Sequence, residues 1–155
     1  MDKRELMKRA IELSIGSVNG GGGPFGAVIA REGEIIAEAS NTVTIDNDPT
    51  AHAEVNAIRR AARKLGSFDL SGCEIYTSCE PCPMCLGAIY WSHIGKIYYA
   101  NTREGAAELG FAADFIYQEI ALPLEKRRKP IEEFMRSEAL EAFELWKAKD
   151  DRTEY

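Results

Sequence analysis

The sequence predicts an α/β protein, a three-layer α/β/α sandwich around a mixed β-sheet of about five strands. Segments with helical and with strand periodicity follow one another as helix, β-hairpin, helix, strand, helix, strand, which is typical of a sheet covered by helices. The first helix carries one apolar stripe that a sheet should bury. Because the 155 residues contain no internal repeat and no linker, we expect a single domain over residues 1–155.

The first half of the chain contains a well-marked helix start and a hairpin. Asp2 and Glu5 have the spacing of a capping box. The four glycines at 20–23 follow a helix and precede a strand, which is the reverse of the order in a phosphate-binding loop. We expect, in order, a helix ending at Asn19, strands at 25–30 and 34–39, a loop at 40–49 and a helix at about 51–64.

The second half of the chain has a regular part and a weaker part. We expect a strand at 73–77, a helix at 81–92, a strand at 96–100 and a helical piece at 104–109. From Phe111 to Pro130 the pattern indicates short helices and loops. A last helix is expected at 138–147, capped by Ser137, before a charged tail that ends in Tyr155.

The composition argues against several kinds of partner. The net charge is -6, whereas a nucleic-acid surface needs clustered Lys and Arg. No apolar run approaches the ~18 residues of a membrane span, and the first residues do not form a secretion signal. Three of the four cysteines lie within 79–85, which favours metal binding over disulfides. We therefore expect a cytoplasmic protein without nucleic-acid or membrane partners.

Three residues form a candidate metal site. His52 is followed two residues later by Glu54, and Cys82 and Cys85 have C-x-x-C spacing after a proline. One imidazole and two thiolates leave the fourth position of a tetrahedral zinc open, as in catalytic sites. Each motif lies near a predicted helix start, where the positive helix end lowers a thiol pKa. Glu54 is then placed to carry a proton from water.

Other interpretations of these residues stay open. Cys79 stands three residues before Cys82, so a closed structural zinc with three cysteines and one histidine is a rival, and a redox dithiol is another. Glu54 could also be an ordinary first-turn carboxylate that the helix dipole favours. Glu80 is interpreted as a group behind the site or on the surface.

The chain resembles the cytidine-deaminase superfamily, and within it the bacterial guanine deaminases. The H-x-E and P-C-x-x-C motifs are the signature of zinc-dependent nucleobase deaminases. The resemblance covers nearly the whole chain and is carried by residues 23–28, 47–55, 76–91, 110–111, 115–117 and 154–155. It implies the layered fold described above and one zinc ion per chain, held by His52, Cys82 and Cys85.

The resemblance also implies a reaction. A water activated by zinc attacks the ring carbon that bears the exocyclic amine, C2 in guanine, and Glu54 moves protons from the water to the ring and to the leaving ammonia. The positions that match the family's substrate contacts are Asn41, the Ala53 amide, Phe25 and Trp91, although the two aromatic residues are equally consistent with a core position. Tyr155 matches a C-terminal tyrosine that the family lays over an active site. The resemblance thus implies a homodimer in which the segment of about 137–155 is exchanged.

One departure from the family bears on the substrate. Guanine deaminases carry acidic residues directly after Gly-Phe, which contact the N–H groups of the purine, whereas here Ala112 and Ala113 precede Asp114. Unpaired polar groups in a pocket change specificity strongly. This departure weakens guanine as the substrate more than it weakens deamination as the reaction. On the resemblance as a whole, the leading hypothesis is still a free-base aminopurine deaminase acting on guanine. The alternatives are deamination of guanosine, cytosine or an aminotriazine, a tRNA adenosine deaminase, and a zinc-binding module without catalysis.

Overall fold

The structure contains seven α-helices and four β-strands. It is a computed structural model and describes residues 1–155. The elements are α1 (Lys3–Asn19), β1 (Gly26–Arg31), β2 (Glu34–Ser40), α2 (Val43–Asp46), α3 (Ala53–Leu65), β3 (Glu74–Cys79), α4 (Pro83–Trp91), β4 (Lys96–Asn101), α5 (Arg103–Glu108), α6 (Ala113–Ile120) and α7 (Arg136–Ala148), with a 3₁₀ turn at Leu124–Lys126. No helix among them combines the length and the apolarity that crossing a membrane requires.

The four strands form one mixed sheet in the order β2-β1-β3-β4. β1 pairs antiparallel with both β2 and β3, whereas β4 runs parallel to β3, with α4 between them as the crossover. The predicted α/β/α fold class is confirmed. The sheet has four strands rather than about five, because the chain after β4 forms the helices α5 and α6 and adds no further strand.

Helices cover both faces of the sheet, and strand alternation divides the core between them. On one face, α1 buries Leu6 and Ala10 against a cluster that includes Tyr76 of β3. On the other face, α3 and α4 pack on a second cluster, whose fully or nearly fully buried members include Ala27, Ile29, Ala57, Ala61, Ile75 and Ile89. The small alanines of α3 let this helix lie close to the sheet, so its N-terminus is held firmly in place.

Local contacts explain two differences from the expected elements. The predicted loop at 40–49 contains the single helical turn α2, where the Thr42 hydroxyl donates to Asp46 Oδ2 at 2.7 Å. The capping role expected for Ser137 is wrong. Helix α7 begins after Met135, whose left-handed conformation (φ 62°) makes it the N-cap residue and places Ser137 in the first turn.

The chain divides into two compact units, Met1–Tyr117 and Gln118–Tyr155. The first contains the whole sheet with α1 to α5. The second contains the 3₁₀ turn and α7, and no residue of α7 is buried. Phe143 of α7 is 75% exposed, so this helix presents an apolar surface, which is typical of a segment that a partner covers.

Gly26 marks the closest approach of α1 to the sheet. A Cβ atom at this position would lie 2.8 Å from Leu13 Cβ and 2.8 Å from the Ser14 nitrogen, and it would overlap the Ala10 carbonyl oxygen. Because two of these atoms belong to the backbone of α1, the helix itself would have to move. Glycine is therefore a packing requirement here.

We expect Gly26→Ala to lower the free energy of unfolding by about 1–3 kcal/mol through overpacking. Gly16→Ala is the matched control, because Gly16 lies in α1, the helix that packs on Gly26, with open space around it. This variant should gain about 0.5–1 kcal/mol of stability. Denaturant unfolding of the two variants measures both effects. Equal stability of the two variants would contradict the packing described here.

Candidate metal and catalytic site

The candidate ligands lie at two helix N-termini. His52 is the N-cap residue of α3 and Cys82 the N-cap residue of α4, and neither side chain caps its own helix by a hydrogen bond. Pro83 occupies the first turn of α4, where its missing N–H removes no intrahelical bond. Cys85 follows in the same turn. The two N-cap side chains are thus available to bind an ion.

The distances between the donor atoms fit zinc. His52 Nδ1 lies 3.6 Å from Cys82 Sγ and 3.5 Å from Cys85 Sγ, and the three donor atoms all lie within 4.8 Å of one another. Zn–S bonds of about 2.3 Å and Zn–N bonds of about 2.0–2.1 Å at tetrahedral angles separate N from S by about 3.6 Å. The residues present therefore match a tetrahedral zinc site with three protein ligands.

The pKa values of the two thiols also favour the binding of a cation. Hydrogen bonds from Cys85 and from His52 lower the pKa of Cys82 to about 4, against the opposing effect of desolvation. The hydrogen bond to Cys82 and burial raise the pKa of Cys85. One thiolate is therefore ready as a ligand, and a metal ion takes the place of the Cys85 proton when the second sulfur binds.

Cys79 lies outside this cluster of donors. It is the last residue of β3, and its Sγ atom points to the Thr102 carbonyl oxygen at 3.7 Å. The donor group consists of His52, Cys82 and Cys85. Three protein ligands are the arrangement of a catalytic zinc site rather than of a closed structural one.

Glu54 is a buried carboxyl group in the first turn of α3. Burial raises its pKa, whereas its own backbone N–H acts in the opposite direction. Such a raised pKa suits a group that must take up and release protons near neutral pH. Glu54 shares a cavity of about 760 Å³ with His52 and Cys82, so the predicted proton carrier and two of the predicted ligands face the same space.

Asn41 lines this cavity, and a hydrogen bond fixes the orientation of its side-chain amide. Its Oδ1 atom accepts the Val43 N–H at 3.1 Å, so the Nδ2 donor is the part of the amide that can contact a ligand. The Ser17 hydroxyl donates to the Asn41 carbonyl oxygen at 3.2 Å. A Cβ atom at Gly23 would lie 3.2 Å from Asn41 Cγ. The glycine run therefore lets the backbone pack closely around Asn41, a role that sequence analysis did not assign.

The remaining predicted contact residues occupy different places. Phe25 lines the cavity and meets Phe111 edge-to-face, with ring centroids 4.9 Å apart. Ala53 is fully buried as the first residue of α3, where backbone N–H groups have no intrahelical acceptor. Trp91 lies at the end of α4, is 65% exposed and does not line the cavity. Tyr155 ends the second unit and is exposed.

Asp114 does not line the cavity, although its neighbours Ala112 and Ala113 do. Its Oδ1 atom lies 3.6 Å from Arg103 Nε. Arg103 and Glu80 both line the cavity, and sequence analysis gave Arg103 no role. Parallel β3 and β4 end side by side, and residues that follow such strands meet at one sheet edge. A correct prediction of the strand order would therefore have placed Arg103 beside the cavity.

Comparison with known proteins agrees with this geometry. The chain belongs to the family defined by the zinc-binding region of cytidine and deoxycytidylate deaminases, which matches residues 1–101. It is 51% identical over 156 residues to the guanine deaminase of Bacillus subtilis, with 100% of both chains covered. The crystal structure of that guanine deaminase superposes with a TM-score of 0.96 and covers 100% of this chain and 99% of the other.

More distant relatives include two kinds of deaminase. The structure of guanine deaminase from Nitrosomonas europaea is 30% identical, with a TM-score of 0.69, and covers 91% of this chain and 72% of the other. A tRNA-specific adenosine deaminase of Aquifex aeolicus is 43% identical over 100 residues, which are 64% of this chain and 66% of that protein. The family and the donor geometry together assign zinc as the cofactor of this site.

Zinc content distinguishes the ligand Cys85 from Cys79, which lies outside the donor group. We expect Cys85→Ser to lose most of its zinc, because a hydroxyl is a much weaker zinc ligand than a thiolate. Cys79→Ser should retain one zinc per chain, because Cys79 lies outside the donor group. Metal analysis of both variants after dialysis tests this. Zinc loss from Cys79→Ser equal to that from Cys85→Ser would indicate a closed four-ligand site.

Proposed function

We propose that this chain deaminates guanine hydrolytically to xanthine and ammonia, with zinc as cofactor. The observation that carries this proposal is the donor group of His52, Cys82 and Cys85 at a cavity that His52, Cys82 and the buried Glu54 line. The 51% sequence identity to a guanine deaminase over the full length of both chains supports guanine as the base. The whole of residues 1–155 acts as one catalytic domain.

Glu54 carries the protons in the proposed reaction. Zinc held by His52, Cys82 and Cys85 supplies a Lewis acid that makes water nucleophilic near neutral pH. Glu54 accepts a proton from the attacking water and delivers it to a ring nitrogen. It then takes the proton of the new hydroxyl group on the ring carbon and passes it to the amino group, so that the C–N bond breaks, ammonia leaves and the oxygen becomes the product carbonyl. General acid–base help of this kind contributes about 10²–10⁴ in rate.

Three other groups orient the base. The Asn41 Nδ2 group donates to an acceptor atom of the ring or to its carbonyl oxygen. The Ala53 N–H at the start of α3 is available for a second acceptor, because first-turn amides have no intrahelical partner. Phe25 forms an apolar wall with Phe111. Asp114 lies outside the cavity lining and reaches it through Arg103. The contact of Trp91 with the base rests on the family resemblance alone.

A second candidate function is deamination of another aminated ring, such as guanosine, cytosine or an aminotriazine. The observation that favours it is the apolar pair Ala112 and Ala113 on the cavity wall. These two residues directly follow Gly-Phe, where guanine deaminases carry acidic residues. A tRNA substrate is disfavoured by the net charge of -6, since RNA binding requires a basic surface.

A substrate panel tests the proposal. The zinc-loaded protein is given guanine, guanosine, cytosine, adenine and an aminotriazine, and ammonia release is measured for each. We expect guanine to have the highest kcat/KM. Turnover of another ring with guanine inert would replace the substrate and leave the deaminase chemistry in place.

Glu54→Gln separates catalysis from a purely structural zinc site. The amide has nearly the same shape but cannot shuttle protons, so we expect turnover to fall by at least about 10²-fold while one zinc per chain remains bound. Ammonia release and zinc content are measured on the same sample. Normal turnover by the variant would eliminate the proposed role of Glu54.

We also propose a cytoplasmic homodimer whose C-terminal segment, about residues 137–155, is exchanged so that Tyr155 covers the partner's cavity. The exposed apolar side chains of α7 support a partner copy, because such patches on a protein surface usually mark contact sites. Free thiols and thiolate metal ligands suit a reducing compartment.

Complementation between two impaired variants tests the exchange. Deletion of Tyr155 should lower kcat/KM without unfolding the protein, whereas Glu154→Gln, which keeps the terminal aromatic ring, should not. Co-expression of the Tyr155 deletion with Glu54→Gln should restore one complete site per mixed dimer, because Tyr155 of one chain would serve Glu54 of the other. No recovery above the separate variants would show that the tail acts within its own chain or not at all.

A further inference from the structure

Helix α6 forms one wall of the cavity without a buried anchor. Phe115 and Ile116 of α6, with Ala112 and Ala113 at its start, line the cavity. No residue of α6 is buried. Apolar burial usually fixes a helix in a globular protein, so this wall depends on other contacts for its position.

Arg103 supplies several of those contacts. Its Nε atom lies 3.6 Å from Asp114 Oδ1, and its guanidinium carbon lies 4.4 Å above the centre of the Tyr117 ring. Asp114 and Tyr117 are three residues apart on α6, so they share one face of the helix. That face is turned to Arg103, and Phe115 and Ile116 are turned to the cavity.

The same arginine is tied to the loop that carries the metal ligand. The Arg103 backbone N–H donates to Glu80 Oε1 at 3.3 Å, and Arg103 Nε lies 3.8 Å from Glu80 Oε2. The Tyr117 hydroxyl donates to the Pro81 carbonyl oxygen at 2.7 Å. Glu80 and Pro81 directly precede the ligand Cys82. Arg103 and Tyr117 therefore join the wall helix to residues 80–82.

We propose that Arg103 is a specificity-determining positioning residue, which fixes the distance between the α6 wall and the metal ligands by pairing with Asp114 and Glu80 and stacking on Tyr117. This inference rests on the proposed deaminase function. Arg103 acts through α6 on the fit of the base, and the chemistry stays with Glu54. A planar guanidinium can pair and stack at once, which a lysine ammonium does only in part.

We expect a substitution of Arg103 to weaken binding of the base and to leave the chemical step unchanged. Loss of Arg103 leaves His52, Cys82, Cys85 and Glu54 on α3 and α4, whose positions the core fixes. The wall helix loses its ion pair and its stacking partner, so the base is held less well. Groups that hold metal ligands from outside the coordination sphere typically contribute about 10- to 100-fold to metal affinity or activity. Because Arg103 contacts the α6 wall, we expect a loss of similar size in KM rather than in kcat.

Steady-state kinetics with the base that the parent enzyme deaminates fastest tests this. We expect Arg103→Gln to raise KM at least about tenfold with kcat of the same order and one zinc bound, and Arg103→Lys to recover part of the loss. Glu104→Gln is the matched control, because Glu104 lies 3.9 Å from the same Nε atom with its side chain 72% exposed, and its KM should be unchanged.

Three outcomes of the kinetics would overturn the proposal, two of them in Arg103→Gln itself. One is an unchanged KM in Arg103→Gln, and the other is a fall in kcat accompanied by zinc loss, which would make Arg103 a structural support of the metal site. An Asp114→Asn variant with a larger effect than Arg103→Gln would also overturn it, because Asp114 would then contact the base itself. If guanine is inert in the parent enzyme, the proposed function is wrong but the proposal for Arg103 is still tested, because the variants are compared on the best substrate.

Hydrogen exchange gives a readout that needs no substrate. The amides of α6 should exchange faster in Arg103→Gln than in the parent or in Glu104→Gln, whereas α3 and α4 keep their rates, because only the polar attachment of α6 is lost. Equal α6 exchange in all three proteins would overturn the proposal even if no base were turned over.

Discussion

The structure depends on bringing two sulfur ligands and a carboxyl group close together around one imidazole. Like charges at this separation repel, and each would be costly to bury alone. Two helix N-termini ease that cost, because their unpaired N–H groups and dipoles favour negative charge. The low pKa of Cys82 and the raised pKa of Cys85 favour one thiolate beside one thiol. A divalent cation completes the compensation, because it replaces the Cys85 proton when the second sulfur binds.

The sheet turns this local chemistry into a fixed geometry. β3 leads into the loop with Glu80 and Cys82. α3, which precedes β3 and has His52 at its start, packs on the same core cluster as α4. The alanines of α3 allow a close fit to the sheet, so the imidazole cannot drift from the sulfurs without breaking the core. An interior packed this tightly resists small displacements. Precision at the metal site is therefore a property of the core rather than of the loops.

Much of this could be predicted from the sequence, and the failures have physical causes. The helix–strand order and the His52, Cys82 and Cys85 pattern were visible because periodicity and ligand spacing are local properties. The α2 turn depends on a hydrogen bond between Thr42 and Asp46, and α7 begins at a left-handed Met135. Arg103 escaped notice because its partners lie on two other segments, which only the strand order brings together.

The zinc ligands and Glu54 lie in a different part of the chain from the α6 wall whose position we propose Arg103 to fix. The match to the deaminase family ends at residue 101, and Arg103 begins the segment α5–α6 directly after it. The first part is held by buried apolar contacts, whereas α6 has no buried residue and is attached through Asp114, Tyr117 and the loop at 80–82. Polar attachments of this kind can be exchanged with little effect on the core, because they do not fill its volume. On our proposal for Arg103, changing the residues that follow β4 alters ring specificity and leaves the zinc ligands and Glu54 in place.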